Sequence, residues 1–176
     1  MSFTVRLLAD CPSAARAVAH MVFSEWPALY PAWGQHSATD VEAALLRDNT
    51  GAGGFPFTLV ALDDAGGGVL GSVGLEESDL VPRDARRPWV VAMLVDAPAR
   101  GRGVANALLR ALVLRAAELG FARLHLWTHD QQAWYMRHGW ELASEGDAFG
   151  QHAYFLELDV ARGAALYGGC GDGGTA

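Results

Sequence analysis

The stretch Arg100-Gly101-Arg102-Gly103-Val104-Ala105 follows the apolar run Trp89 to Val95 and opens a long amphipathic pattern. Strand, Gly-rich turn, then helix is an order that builds an anion site. The first amides of a helix lack intrahelical partners and carry partial positive charge, and glycine admits positive φ and a close approach of phosphate to backbone. The guest to expect is a phosphorylated cofactor. Gly-x-Gly also serves ordinary tight turns, so the turn by itself leaves both readings open. No Ser–His–Asp set, metal-ligand cluster or dinucleotide motif accompanies it, and the turn lacks the lysine of a nucleotide-triphosphate loop. Hydrolase and kinase chemistry is therefore not indicated.

The elements that must position this turn can be read on either side of it. Phe3 to Leu8 alternates as a first strand, and Ala14, Ala17, Val18, Met21 and Val22 share one helical face. Trp26 to Gly34 is an aromatic segment broken by proline and reads as a loop. Thr39-x-x-Glu42 has the form of a capping box before a helix ending near Asp48. Phe57–Leu62 and Val69–Leu75, separated by Asp63 to Gly68, read as a hairpin of two central strands. Trp89 to Val95 is apolar throughout, as expected of a strand covered on both faces. Val104, Leu108, Leu112 and Ala116 form the buried stripe of the next helix, with Gly120 as its C′ residue. Arg123–Thr128 is a strand, Gln131–His138 a short helix, and Trp140–Leu142 and His152–Leu158 are further strands. From Ala161 onward six glycines give a tail with little to bury, for which mobility is expected. The organisation expected is one domain over residues 1–160 and a Gly-rich tail over 161–176.

At 176 residues, with 51% apolar and 19% charged residues, the chain suits one soluble domain. The formal charge of −7 opposes broad binding to nucleic acid and suits a cationic acceptor. Cys11 and Cys170 have neither disulfide-framework nor metal-ligand spacing and fit a reducing cytoplasm. The start of the chain has no basic segment followed by a long apolar core, so no membrane association is expected.

Taken together, the hairpin, the strand ending Met93-Leu94-Val95, the turn, its helix, the next strand and Ala133-Trp134-Tyr135-Met136-Arg137-His138-Gly139-Trp140 resemble the GCN5-related N-acetyltransferases. The resemblance is strongest over Gly71 to Trp140 and extends from Phe3 to about Asp159. It implies an α/β fold with a mixed, largely antiparallel central sheet flanked by helices on both faces, and a cofactor cleft where two parallel strands diverge. The family turn has the form Gln/Arg-x-x-Gly-x-Gly/Ala, matched by Arg100, Gly103 and Ala105. By that resemblance, Gly101, Arg102, Gly103, Val104, Ala105 and Asn106 hold the pyrophosphate of acetyl-CoA through backbone amides. Backbone groups of Met93, Leu94 and Val95 hold the thioester and pantetheine. Tyr135 matches the tyrosine of Tyr-x-x-x-Gly-Phe, with Trp140 in place of phenylalanine, and is expected to protonate the departing thiolate.

The activity implied is transfer of acetyl from acetyl-CoA to a primary amine of a small molecule or peptide by direct attack. The alternative is an acyl-CoA-binding regulatory or interaction module without turnover. An amine that is protonated at neutral pH must lose a proton, so a base is needed. Glu76, Glu77 and Asp79 follow the strand beside the cofactor strand, and Glu76 and Asp79 rank equally for that role. Strand alternation separates Glu76 from Glu77. His125, His129 and Asp130 lie near the end of the strand expected to open against the cofactor strand; a histidine there can relay a proton or simply pack. Asp130 departs from the asparagine often seen at its position, and Pro98 sits one place later than the proline of relatives. Trp26, Tyr30 and Trp33 suit an acceptor lid or packing over the sheet edge. A homodimer is compatible with the resemblance.

Overall fold

The structure, a computed structural model, describes residues 2–49, 51, 54–80 and 84–169. Strands β1 (Phe3–Leu7), β2 (Phe57–Asp63), β3 (Val69–Glu76), β4 (Trp89–Val95), β5 (Arg123–Thr128), β6 (Glu141–Ala148) and β7 (Gln151–Asp159) form one sheet in the order β1-β2-β3-β4-β5-β7-β6. All neighbours run antiparallel except β4 and β5. Parallel neighbours need a crossover, supplied here by α3 (Val104–Glu118).

Strand alternation divides the core between the two faces. Leu59 and Ala61 of β2 join Val73, Leu108, Leu112, Leu124 and Leu156 on the α3 side. Val60, between them, joins Val18, Val22, Val41 and Leu94 under α1 (Ala15–Glu25) and α2 (Ala38–Asp48). Helices thus cover both faces, as the apolar character of β4 requires.

Several expectations are corrected in detail. The cap of α2 is Ser37, two residues before the expected Thr39. Ser37 Oγ accepts from Asp40 N–H at 3.2 Å, and Asp40 Oδ2 accepts from His36 N–H at 2.9 Å. The reciprocal box therefore uses the shorter aspartate, whose carboxyl is held below its ordinary range by these donors, the His36 amide first. Strand β6 continues through Gly146 because its ladder with β7 runs unbroken from Ser144↔Phe155 to Ala148↔Gln151.

The tail expected from Ala161 is instead helical through Gly168, as α5 (Val160–Gly168), and its remaining expectation over residues 170–176 lies outside the described residues. Asp159 caps this helix by accepting from Arg162 N–H at 2.9 Å, and Val160 and Tyr167 are buried. Gly163 lets α5 approach closely: a Cβ there would lie 2.8 Å from Leu158 Cδ2 and 3.0 Å from Val113 Cγ1. Arg110 Nε donates to Tyr167 O, and Tyr167 Oη donates to His138 O, each at 3.0 Å. The glycines that suggested a loose tail include one that permits packing.

Candidate active site

The site begins with a defect in β4. Gly71 pairs with Val95 and Ser72 with Leu94, but Gly74 pairs with Val91, so Val73 faces two residues, Ala92 and Met93. The extra residue is a β-bulge, and Ala92 takes φ 49°, uncommon for a residue with a side chain. Ser72 Oγ donates to Ala92 O at 3.4 Å beneath it. On its other edge β4 pairs with β5 only at Trp89↔His125, supported by His125 N–H donating to Pro88 O at 3.1 Å. Beyond that point the two parallel strands separate.

The Gly-rich turn closes one end of the resulting space. Gly101 has φ 73° and Gly103 φ 80°, a region that non-glycine residues enter at a cost of roughly 1–2 kcal/mol. Gly103 is the N-cap of α3 and provides no side-chain acceptor. The first helical bond runs from Ala107 N–H to Gly103 O at 3.0 Å, leaving the amides of Val104, Ala105 and Asn106 without helical acceptors. A Cβ on Gly101 or Gly103 would meet nothing within 4 Å, so the backbone here faces open space. Arg100 anchors the turn by donating from Nε to Val95 O at 3.1 Å.

A cavity of about 1220 Å³ runs from this turn along the split between β4 and β5. Met93, Leu94, Val95, Arg100, Gly101, Gly103, Val104, Ala105 and Asn106 line it. Arg102 does not; one of its guanidinium nitrogens is buried without a hydrogen-bond acceptor. An uncapped helix terminus, exposed glycine backbone and a split sheet suit a polyanion continued by an extended chain, which is the shape and charge of coenzyme A.

Tyr135 enters from α4 (Gln132–Arg137) and also lines the cavity. Its ring is buried edge-on against Trp134 and Trp140, with centroids 5.0 and 5.8 Å away. Burial pushes its phenol well above the ordinary tyrosine range, so the oxygen keeps its proton near neutrality.

The opposite end of the cavity carries acids. Glu76 closes β3, Asp79 follows three residues later, and both face the cavity. Burial, then the charge of Asp48, raises the Glu76 carboxyl to about 7, while Arg47 opposes. Burial raises Asp79 to about 8; the Trp127 indole opposes and Glu76 adds to the rise. The Trp127 N–H faces Asp79 without full hydrogen-bond geometry, so Nε1 is a buried donor lacking an acceptor. Two carboxyls that repel one another while screened from water do not both ionise freely near neutrality. Glu77, in contrast, is exposed and lies 3.7 Å from Arg87.

His125 is buried against Trp89 and does not line the cavity; burial lowers its imidazole pKa. His129 does line it, and its Nδ1 lies 2.7 Å from His152 O, which fixes Nδ1 as the donor and leaves Nε2 free. Asp130 is exposed at the rim. Trp26, Tyr30 and Trp33 all line the cavity, and Trp26 and Tyr30 also pack against the core beneath α1 and α2. Sequence reasoning missed Asp48 and Trp127. Trp127 reads as one more aromatic in an alternating strand, and Asp48 as the polar end of a helix, so neither position carried a local signal.

Comparison with known proteins agrees with this geometry. The family model of the acetyltransferase (GNAT) family matches residues 18–140. No curated protein sequence matches the chain. Among solved structures, the Escherichia coli GNAT family N-acetyltransferase YhbS in complex with CoA is 23% identical, with TM-score 0.60 over 92% of this chain and 83% of that one. A chimera of the Vibrio cholerae spermidine N-acetyltransferase SpeG and hSSAT is 13% identical, with TM-score 0.68 over 94% and 99%. An aminoglycoside 6'-acetyltransferase type Ii is 15% identical, with TM-score 0.65 over 91% and 97%. With the split sheet and Gly-rich turn in place and the family model covering most of the chain, this protein belongs to the GNAT acetyltransferase family.

Proposed function

We propose that this acetyltransferase moves acetyl from acetyl-CoA to a primary amine by direct attack. The observation that carries this reading is one continuous cavity with unpaired backbone donors at one end and the half-buried acids Glu76 and Asp79 at the other. An anionic donor and a cationic acceptor are thereby sorted to opposite ends. CoA in one structural relative, and spermidine and an aminoglycoside in the names of two others, fit the same division.

Asp79 and Glu76 draw the ammonium in and accept its proton. An ordinary carboxyl near 4 lies about six pH units below an alkylammonium near 10.4, each unit costing about 1.4 kcal/mol. Raised to about 7 and 8, these carboxyls lie much closer to it. The arriving cation favours their ionised forms. The freed amine nitrogen bonds to the thioester carbonyl carbon, backbone N–H groups of β4 polarise that carbonyl, and the carbon–sulfur bond breaks. Tyr135 gives its phenolic proton to the departing sulfur, and the second proton that the nitrogen sheds as the amide forms passes to solvent, from which Tyr135 is reprotonated. Cys11 has no part in this: it is buried away from the cavity, with Sγ 3.1 Å from Leu7 O.

Calorimetric titration with acetyl-CoA, followed by measurement of free CoA released when amines are added, tests the reading. Saturable binding and amine-dependent release are expected. Failure to bind acetyl-CoA would remove the cofactor site and the enzymatic reading with it. Binding without release for any amine would leave an acyl-CoA-binding module.

A further inference from the structure

The walls of the acid end are more specific than its charge. An unbroken ladder of rings runs from the segment between α1 and α2, across the β6–β7 turn, to β5. Centroid separations are 6.3 Å for Tyr30–Trp33, 5.2 Å for Trp33–Phe149 and 5.6 Å for Phe149–Trp127. Phe149 and Gly150 form the two-residue loop between Ala148 and Gln151, and their φ values of 56° and 80° are the positive pair that such a hairpin turn requires. The turn places the Phe149 ring against Trp33 and Trp127, the two indoles that line the cavity.

Asp79 lines the same cavity as Trp127, Glu76, Tyr30 and Trp33. Burial, then the charge of Asp79, opposes ionisation of the Tyr30 phenol. The other acids of the cavity are already compensated or remote. Asp48 is bonded to Arg47 at 2.8 Å, Glu77 lies near Arg87, and Glu25 and Asp130 sit at the exposed rim. The inner end therefore presents the half-buried carboxyls of Glu76 and Asp79 inside aromatic walls.

We propose that the acceptor is a monoamine carried on a flat aromatic body, its ammonium at Asp79 and Glu76 and its ring against Trp127 and Trp33. Flat rings stack on indole faces, and a desolvated ammonium beside them gains cation–π attraction. A polyamine's second ammonium would meet free carboxylates only at the exposed rim, at Glu25 and Asp130. The assignment deepens the amine-acetylation reading and rests on it for the choice of acceptor, but it concerns binding and can be measured without turnover.

The test is calorimetry on the full chain saturated with CoA, using tryptamine and spermidine as probes. Tryptamine is expected to bind about tenfold tighter. Trp127→Leu should erase that preference and Trp127→Phe retain most of it, with acetyl-CoA affinity unchanged in both. Trp33→Leu, outside the sheet, supplies a second variant whose folding does not depend on β5, and should selectively weaken tryptamine. Equal or tighter spermidine binding, no tryptamine binding, or Trp variants that weaken both probes alike would overturn the assignment. CoA release from acetyl-CoA with the same two amines separates the two ideas. Tryptamine binding without release supports the aromatic site while removing acetyl transfer; release with spermidine alone does the reverse.

Discussion

The two ends of the cavity are built from different materials. The cofactor end is mainly backbone: a bulge at Ala92, amides of Val104 to Asn106 and two glycines at positive φ. The acceptor end is side chains, with Glu76 and Asp79 after β3, Tyr30 and Trp33 between helices, and Trp127 on β5. Backbone sites tolerate most substitutions, since any residue supplies an N–H, and fail only where conformation forbids the replacement. Side-chain sites fail at the first truncation of a key group. The difference teaches that one fold can keep its cofactor while its acceptor changes, because the two ends share a cavity but few determinants.

The sharpest way to separate the ends is to neutralise the acids. Asp79→Asn combined with Glu76→Gln should lower kcat/KM for amines by about 10²–10⁴-fold and leave acetyl-CoA affinity intact by calorimetry. A comparable loss of acetyl-CoA binding would show that the ends are not independent. Tyr135→Phe sits at their junction and should lower kcat by about 10²-fold, again with acetyl-CoA affinity preserved. Unchanged turnover would take Tyr135 out of the proton-donor role.

Breaking the backbone end needs a conformational change. Gly103→Val must adopt φ near 80° with a branched side chain in the open space before α3, and should weaken acetyl-CoA by about 5–30-fold, or about 1–2 kcal/mol. Circular dichroism should show the helix content retained.

The smallest effects are those of pH. Amine kcat/KM should climb as pH rises through about 7 and 8, as Glu76 and Asp79 ionise. Stability should move the other way. Both carboxyls hold protons in the folded chain that they release when unfolded above about pH 4, so the native state binds more protons and ΔG of unfolding falls as pH rises toward 8. Denaturant melts at pH 5 and 8.5 should show this fall, and Asp79→Asn should flatten it. A pH-independent midpoint in the unmodified chain would mean that these carboxyls are better solvated than their position implies.

Much of the fold was legible in local pattern. Period-two and period-3.6 apolar spacing located the hairpin, β4, α3 and β5, because burial on a defined face is written residue by residue. Errors arose where a long-range contact overrode local composition. Glycines after Ala161 suggested a loose tail, yet Gly163 is the residue that lets α5 press onto Leu158 and Val113. Thr39 looked like a cap, but Ser37 and Asp40 cap the helix two residues earlier. At the site, the Gly-rich turn was recognisable because its uncapped amides and positive-φ glycines come from consecutive residues. Trp127 was not, since its importance comes from Asp79 and Phe149, which are distant in the chain.

The sequence by itself determined the strand–turn–helix that offers an anion its amides, the acids available near the end of β3 and the family to which the chain belongs. All of these depend on the order of nearby residues and the backbone geometry they prefer. Only the tertiary structure decided that β4 parts from β5 after a single pairing, that Glu76 and Asp79 are half-buried in the cavity while Glu77 lies at its exposed edge beside Arg87, and that His125 packs on Trp89 outside the cavity. Those outcomes depend on which segments meet across the sheet. Desolvation and charge proximity, unlike helical or strand periodicity, exist only after the distant parts of the chain have come together.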